Sequence, residues 1–393
     1  MANTPILAVQ DSLVKVILNV DAITHPLTGI GHYTLALGNA LKSLQTIEEL
    51  RFFSADHWVS DLQQAAAGNQ WLASLRRWVP FKALALNAYG RRRARRFKQL
   101  TQGMSDHVLH SPNFILMPHT GPSVATFHDL SFVHHRDTQP AYRLQFLDRE
   151  VPKTLAQANA LITPTAFIKQ AIVDHYGYPA EQIHVTPLGV SAGFAPQAEA
   201  SIAPTLAQHQ LAHKGYVLAV ATTEPRKNLP RLLQAYAQLP VDLRAAHPLV
   251  LVGAAGWLQQ ASNQAIKQAL SQGHIKTLGY LKQTELQQLY AGARLLALPS
   301  LYEGFGLPII EAMASGTAVL TSAHSAMQEV AGGHAMLCQP EDTDSIEVGL
   351  RAALEDDAWR QAAEQAGLKH SQAFTWQRCA EATLITYRSL SGS

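Results

Sequence analysis

Short runs of β-branched and other apolar residues recur along this chain with helical segments between them, and that alternation constrains the fold more than any other feature. The first series covers residues 15–20, 106–110, 123–127, 160–163 and 183–185. A second covers 216–220, 248–252, 275–278, 294–298, 317–320 and 335–337. Strands alternating with helices form parallel sheets. Residues 191–214 separate the two series; they are rich in Ala, Pro and Gln and contain no strand-like run, so they read as a linker with some local helix. A chain of 393 residues exceeds the size at which one hydrophobic core keeps growing. The expectation is an α/β protein of two doubly wound, Rossmann-like domains. Ligands of such sheets bind outside the carboxyl ends of the strands, so two facing sheets place the binding groups in an interdomain cleft.

Charge and cysteine usage narrow the function. Thirty-one Lys and Arg against 29 Asp and Glu leave a formal charge of +2, which argues against a nucleic-acid protein. Cys338 and Cys379 form no CxxC and have no zinc-type spacing, which fits a reducing compartment and no structural metal. His134 and His135 are adjacent and lack a metal-binding spacing. Residues 1–11 lack the basic and apolar segments of a secretory signal. No run approaches the ~20 apolar residues that span a bilayer.

The densest chemistry lies in residues 297–316, ALPSLYEGFGLPIIEAMASG. An apolar strand runs into a glycine loop and then a short helix, with Glu303 and Glu311 eight residues apart. Gly304 and Gly306 allow a tight turn and close approach to a ligand, Pro308 suits the first helical turn, and Gly316 closes the helix. Free N–H groups at the helix start favour a phosphate, and carboxylates accept from sugar and ribose hydroxyls. Strand 216–220 ends in ATTEPRKNLP, placing Arg226 and Lys227 at a strand-to-helix turn with Asn228 as the expected N-cap. A helix start disfavours cations, so this pair points to an anionic ligand such as a diphosphate.

In the first half, strand 15–20 leads through DAITHPLTGIGHY into a helix carrying Leu35, Leu37, Leu41 and Leu44. A dinucleotide loop is the rival reading of Gly29 and Gly31. Thr34 stands where the third glycine belongs, the approach before Gly29 is long, and strand 50–53 has no acid at its end. Strand 123–127 ends in His128 and Asp129, which places His128 as the first-domain candidate for the cleft.

The string from Glu303 to Glu311 resembles the E-x7-E motif of retaining GT-B glycosyltransferases of family four, and EPRKN at 224–228 is similar to that family's motif. The resemblance covers nearly the whole chain. It implies a first domain, 1–195, on the acceptor side, a second, 196–370, binding the nucleotide sugar, and a closing helix, about 371–393, packing back on the first. By the same resemblance Arg226 and Lys227 hold the donor diphosphate, Glu303 the donor sugar, Glu311 the ribose, and His128 the donor near the acceptor. Gly29 and Gly31 press on the sugar phosphate, Gly304, Phe305, Gly306 and Leu307 form the loop beneath it, and Gly279 and Tyr280 hold the base. Two departures, PLGVS at 187–191 and GAAGW at 253–257, leave the subfamily and the sugar open.

The family's bacterial mannosyltransferases of O-antigen and exopolysaccharide assembly are the nearest look-alikes. They imply a metal-independent hexosyltransferase without a cofactor, taking GDP-mannose as co-substrate and a lipid-linked saccharide as acceptor. The alternatives are a UDP-sugar transferase of the same fold, a non-catalytic nucleotide-sugar scaffold, and a dinucleotide-dependent oxidoreductase. Finally, Trp71 and Trp78 precede Arg91, Arg92, Arg93, Arg95 and Arg96, five arginines in six residues. They read either as a solvated basic helix face or as a surface for anionic lipid headgroups, which would place a cytoplasmic enzyme peripherally on the inner face of the membrane; RNA binding is a third option, disfavoured by the lack of an RNA-binding motif and the near-neutral chain.

Overall fold

The computed structural model describes residues 13–24, 27–63, 65, 82–222, 224–253 and 264–391. The tryptophans at 71 and 78, the N-terminal segment 1–11 and most of the 253–257 turn lie outside that set.

Two sheets form, as the alternation requires. The first contains β1 (Val14–Asn19), β2 (Ile47–Ser54), β3 (His57–Val59), β4 (His107–Ser111), β5 (Ser123–Thr126), β6 (Ala160–Thr163) and β7 (Ile183–Val185), in the order β3-β2-β1-β4-β5-β6-β7. All pairs are parallel except β2 with β3. Strand β3 was not expected; with only three residues at an edge, it carries too little pattern to read. The second sheet is wholly parallel, with β8 (Val217–Val220), β9 (Leu249–Val252), β10 (Ile275–Leu278), β11 (Leu295–Leu298), β12 (Ala318–Ser322) and β13 (Met336–Cys338) ordered β10-β9-β8-β11-β12-β13. The central strands β4, β5, β6, β9 and β11 are buried at every residue, as strands covered on both faces must be.

Strand order reverses beside β1 in the first sheet and beside β8 in the second. At such a switch point neighbouring loops diverge and leave a crevice. Consequently the turn after β8, with Arg226 and Lys227, and the turn after β11, with Glu303, are neighbours although 76 residues separate Lys227 from Glu303.

Helix α1 (Gly29–Lys42) buries Tyr33, Leu37 and Leu41 on one sheet face; Thr28 caps it by accepting from Gly31 N. The opposite face carries α2 (Lys82–Leu100), α3 (Ala141–Gln157) and α4 (Ala166–Tyr176), through Phe97, Leu147, Val151, Ile168 and Ile172. In the second domain α5 (Leu307–Ala314) follows the glycine loop and α6 (Ala326–Ala331) follows β12. The expected linker helix is Glu199–Gln208. The closing helix α7 (Trp376–Ser391) buries Ala380, Leu384 and Tyr387 and packs against α1, β1 and β4. Tyr387 Oη there meets His110 Nδ1 at 2.6 Å.

Arg93 corrects the reading of the arginine run. Arg91, Arg92, Arg95 and Arg96 are exposed, but Arg93 turns inward, pairs with Asp21, donates to the Ala55 carbonyl at 2.9 Å and lies over the Phe53 ring. Helical periodicity explains it, since Arg93 is one turn before the buried Phe97.

Candidate active site

The glycine loop is built as its sequence suggests, for reasons that differ between its glycines. Gly306 has φ +90°, a left-handed conformation that precedes the first residue of α5 with Pro308 in the first turn. At Gly304 the constraint is space: an added Cβ would overlap the His128 carbonyl of the other domain. Thr165 Oγ1 donates to the Gly304 carbonyl at 3.0 Å, and Leu130 N donates to Tyr302 Oη at 3.2 Å. The two domains therefore meet at this loop. Gly316, just beyond α5, is also left-handed, at φ +68°. The Phe305 ring is buried against Phe374 and the partly buried Leu307 side chain packs on the core, so what these two loop residues offer a ligand is backbone.

Glu303 is the electrostatic centre. Its Oε2 accepts from Arg226 Nη1 at 2.7 Å and its Oε1 from Lys227 Nζ at 2.5 Å, with all three side chains largely buried. Burial would raise the Glu303 carboxyl, but the charges of Lys227 and Arg226 overcome it and hold the group at about 2. Arg226 loses by burial and gains more from Glu303, Asp129 and Glu224, so its guanidinium is raised above its usual range. It also donates to the Tyr302 carbonyl at 3.1 Å.

Glu311 lies on α5. It retains some residue surface while its carboxyl is enclosed, and burial pushes it up to about 7 against the opposing effect of Tyr290. His128 is half-exposed at the residue level; its Nε2 contacts the Pro112 carbonyl at 3.0 Å and its ring meets Tyr33 edge-on at 4.6 Å. Burial lowers its pKa, so the ring is neutral near pH 7 and Nε2, bonded to a carbonyl, carries the proton. Gly31 is explained by its own loop, since a Cβ there would lie 2.7 Å from the Ala22 carbonyl, whereas Gly29 and Gly279 have open space. Tyr280 is exposed.

Asn228 overturns its assignment. It occupies the residue before the helix Leu229–Gln238 but is left-handed, at φ 60°, and makes no side-chain cap. Instead its Nδ2 donates to the carbonyls of Pro299 at 2.9 Å and Pro340 at 2.6 Å, tying the turns after β8, β11 and β13 together. Other supports were missed because their partners are distant in sequence. Ser325, at φ 60° and ψ −158°, accepts from Glu303 N at 3.3 Å. Glu329 on α6 accepts from Ala166 N at 2.8 Å and Phe167 N at 3.0 Å, capping α4 from the opposite domain.

Two largely parallel sheets, a cation pair at one switch point and a histidine from the opposing domain define a two-domain α/β protein whose domain seam is suited to an anionic ligand. Comparison with known proteins places it further. A sequence model of glycosyl transferases group 1 matches residues 206–370, and one of glycosyltransferase family 4 matches 27–194. The chain is 35% identical over 384 residues to an O-antigen chain mannosyltransferase B from Escherichia coli, covering 96% of this chain and 100% of that one. It is 29% identical to an MMP alpha-(1->4)-mannosyltransferase from Mycolicibacterium hassiacum, over 61% of this chain and 56% of that protein. A sucrose-phosphate synthase from Thermosynechococcus elongatus shares the fold, with a TM-score of 0.71 at 20% identity over 96% and 99% of the two chains. The chain belongs to the group 1, family 4 glycosyltransferases. Among its described residues no helix is long and apolar enough to cross a membrane.

Proposed function

We propose that this enzyme transfers mannose from GDP-mannose, with retention and without a metal, to a lipid-linked saccharide in assembly of a cell-surface polysaccharide. The observation that carries the sugar is the near-full-length likeness to an O-antigen mannosyltransferase. The cluster of Arg226, Lys227 and Glu303 supports the reaction. In this reading the bond from the anomeric carbon to the diphosphate oxygen breaks as Arg226, Lys227 and the N-terminus of α5 stabilise the departing charge. The acceptor hydroxyl forms its bond on the same face and passes its proton to the leaving diphosphate. Glu303 orients the sugar hydroxyls, Glu311 accepts from the ribose, and the His128 Nε2–H is available for exchange from the Pro112 carbonyl to the sugar. The Gly279–Tyr280 turn holds the base. The exposed Arg91, Arg92, Arg95 and Arg96 hold the enzyme on the anionic inner surface of the membrane.

A panel of GDP- and UDP-sugars, scored for thermal stabilisation and for nucleotide release with a lipid-linked saccharide, tests the assignment. Stabilisation and release with GDP-mannose are expected, with the α-linkage retained in the product. Preference for a UDP-sugar would replace the donor assignment.

A further inference from the structure

Helix α3 exposes two large aromatic side chains on a face that no described element covers. Tyr142 is 71% exposed and Phe146 44%, and they lie one turn apart, about 6 Å along the axis. The inward face of α3 is set by Leu147, Val151 and Thr154. At 100° per residue, Tyr142, Phe146, Arg149 and Lys153 project from the opposite side. The Arg149 guanidinium lies 5.8 Å from the Phe146 ring centroid. Helix α2 lies in the same helical layer, because its Phe97 enters the core cluster that holds Leu147 and Val151. Its outward face carries Arg91, Arg92 and Arg95, and the helix contains no acidic residue.

We infer that Tyr142 and Phe146 form the apolar wedge of a membrane-docking face, with α2 as its electrostatic half and an anionic lipid bilayer as its occupant. This rests on the membrane reading of the α2 arginines and extends it to a second helix. Charge complementarity selects the occupant: α2 itself offers cations only, and of its exposed arginines Arg92 lies 3.9 Å from Asp56 in the β2–β3 turn. The acids of α3 are engaged locally, Asp148 by Arg136 at 2.8 Å and Glu150 by Arg149 at 2.6 Å and Lys153 at 3.0 Å. Aromatic rings beside such a basic surface settle at the headgroup boundary, where apolar area is buried while guanidinium and ammonium groups remain with phosphate. Attraction to headgroups brings the face down, and the two rings hold it there. Arg93 belongs to the fold and is excluded from this face.

The test uses the full chain and vesicles of phosphatidylethanolamine mixed with phosphatidylglycerol, with phosphatidylcholine vesicles as the neutral comparison. A Tyr142→Ser/Phe146→Ser variant is expected to melt like the parent and to lose about tenfold in partitioning to the mixed vesicles. An Arg91→Gln/Arg92→Gln/Arg95→Gln variant reports the arginine reading separately. Cys338 and Cys379 are buried, so Phe146→Cys can be labelled selectively with an environment-sensitive fluorophore. A blue shift on mixed vesicles, with quenching by bromine-labelled acyl chains, is the expected result. Loss of binding in the arginine variant alone, with no shift at position 146, would overturn the wedge and leave the arginine reading standing. No binding by the parent overturns both. Conversion of a dimer to a monomer by the aromatic variant, with vesicle binding unchanged, would assign the face to a second copy and overturn the proposal.

Discussion

Glu303 Oε1 lies 2.5 Å from Lys227 Nζ, and the same carboxylate holds Arg226, which also pairs with Glu224 at 2.8 Å, so one buried anion bridges both cations of the turn. An arriving diphosphate competes with that carboxylate for the pair. Replacing Glu303 with Gln takes the buried carboxylate from Lys227 and leaves Arg226 with Glu224 as its ion-pair partner, a loss on the order of 3 kcal/mol. The variant is therefore expected to melt well below the parent yet to show a larger upward shift on adding GDP, while transfer falls by at least about 100-fold. Because the folded carboxyl is held at about 2, below its ordinary 4.5, its contribution is complete above 4.5 and is lost as pH falls toward 2. Equal GDP-induced shifts in parent and variant would remove Glu303 from the diphosphate competition.

Gly304 makes a second prediction, which separates donor binding from domain closure. A Cβ there would overlap the His128 carbonyl, backbone against backbone, so neither side can yield by changing rotamer. Gly304→Ala is expected to keep nucleotide binding, which needs the second domain, and to lower kcat by about 100-fold or more, because closure positions the reacting groups. Isothermal titration with GDP and single-turnover transfer distinguish the two. A kcat within threefold, roughly 0.7 kcal/mol, of the parent would show that the seam need not close this tightly.

The division between legible and illegible parts follows sequence distance. The buried strands could be read because each carries its burial locally, and Leu295 to Leu298 is apolar at every position. The Arg226, Lys227 and Glu303 turns could be read because cations at a helix start and glycines before a helix are local anomalies. That they share one ion cluster required the strand order, in which β8 and β11 are neighbours. Asn228 misled because a polar residue before a helix matches a cap locally, while its actual partners, Pro299 and Pro340, are 71 and 112 residues away. Tyr302, Ser325 and Glu329 carry no local signal; each acts across a turn or across the domain seam.

Glu311 predicts a pH dependence of opposite sign to that of Glu303. Its folded carboxyl is raised to about 7, so the folded chain prefers the protonated form. Stability from this group is greatest below 4.5 and declines as pH rises toward about 7. A carboxylate accepts two ribose hydroxyls, whereas a carboxylic acid must donate one of its bonds. GDP affinity is expected to rise between about pH 6 and about pH 8, and this rise to be reduced in Glu311→Gln. Nucleotide phosphate itself titrates near about 6, but parent and variant share that contribution, so the difference between their calorimetric profiles isolates Glu311. Parallel profiles would exclude it from ribose binding.

Glu329 tests whether the seam is held or merely touching. Its two oxygens satisfy the amides of Ala166 and Phe167 at the start of α4, where the helix leaves donors without intrahelical partners and its dipole favours a negative charge. Since Glu329 belongs to the second domain and α4 to the first, the two bonds exist only while the domains are together. Removing them with Glu329→Ala should cost the closed arrangement about 1–2 kcal/mol, by analogy with loss of a helix cap. That corresponds to roughly a tenfold lower transfer rate at limiting donor. Glu329→Gln retains one acceptor oxygen and should fall between parent and alanine variant. Small-angle scattering adds a readout that a local folding defect would not mimic: a larger radius of gyration with an unchanged melting temperature. An unchanged radius and unchanged rate in Glu329→Ala would mean that Gly304, Thr165 and Tyr302 suffice to hold the seam.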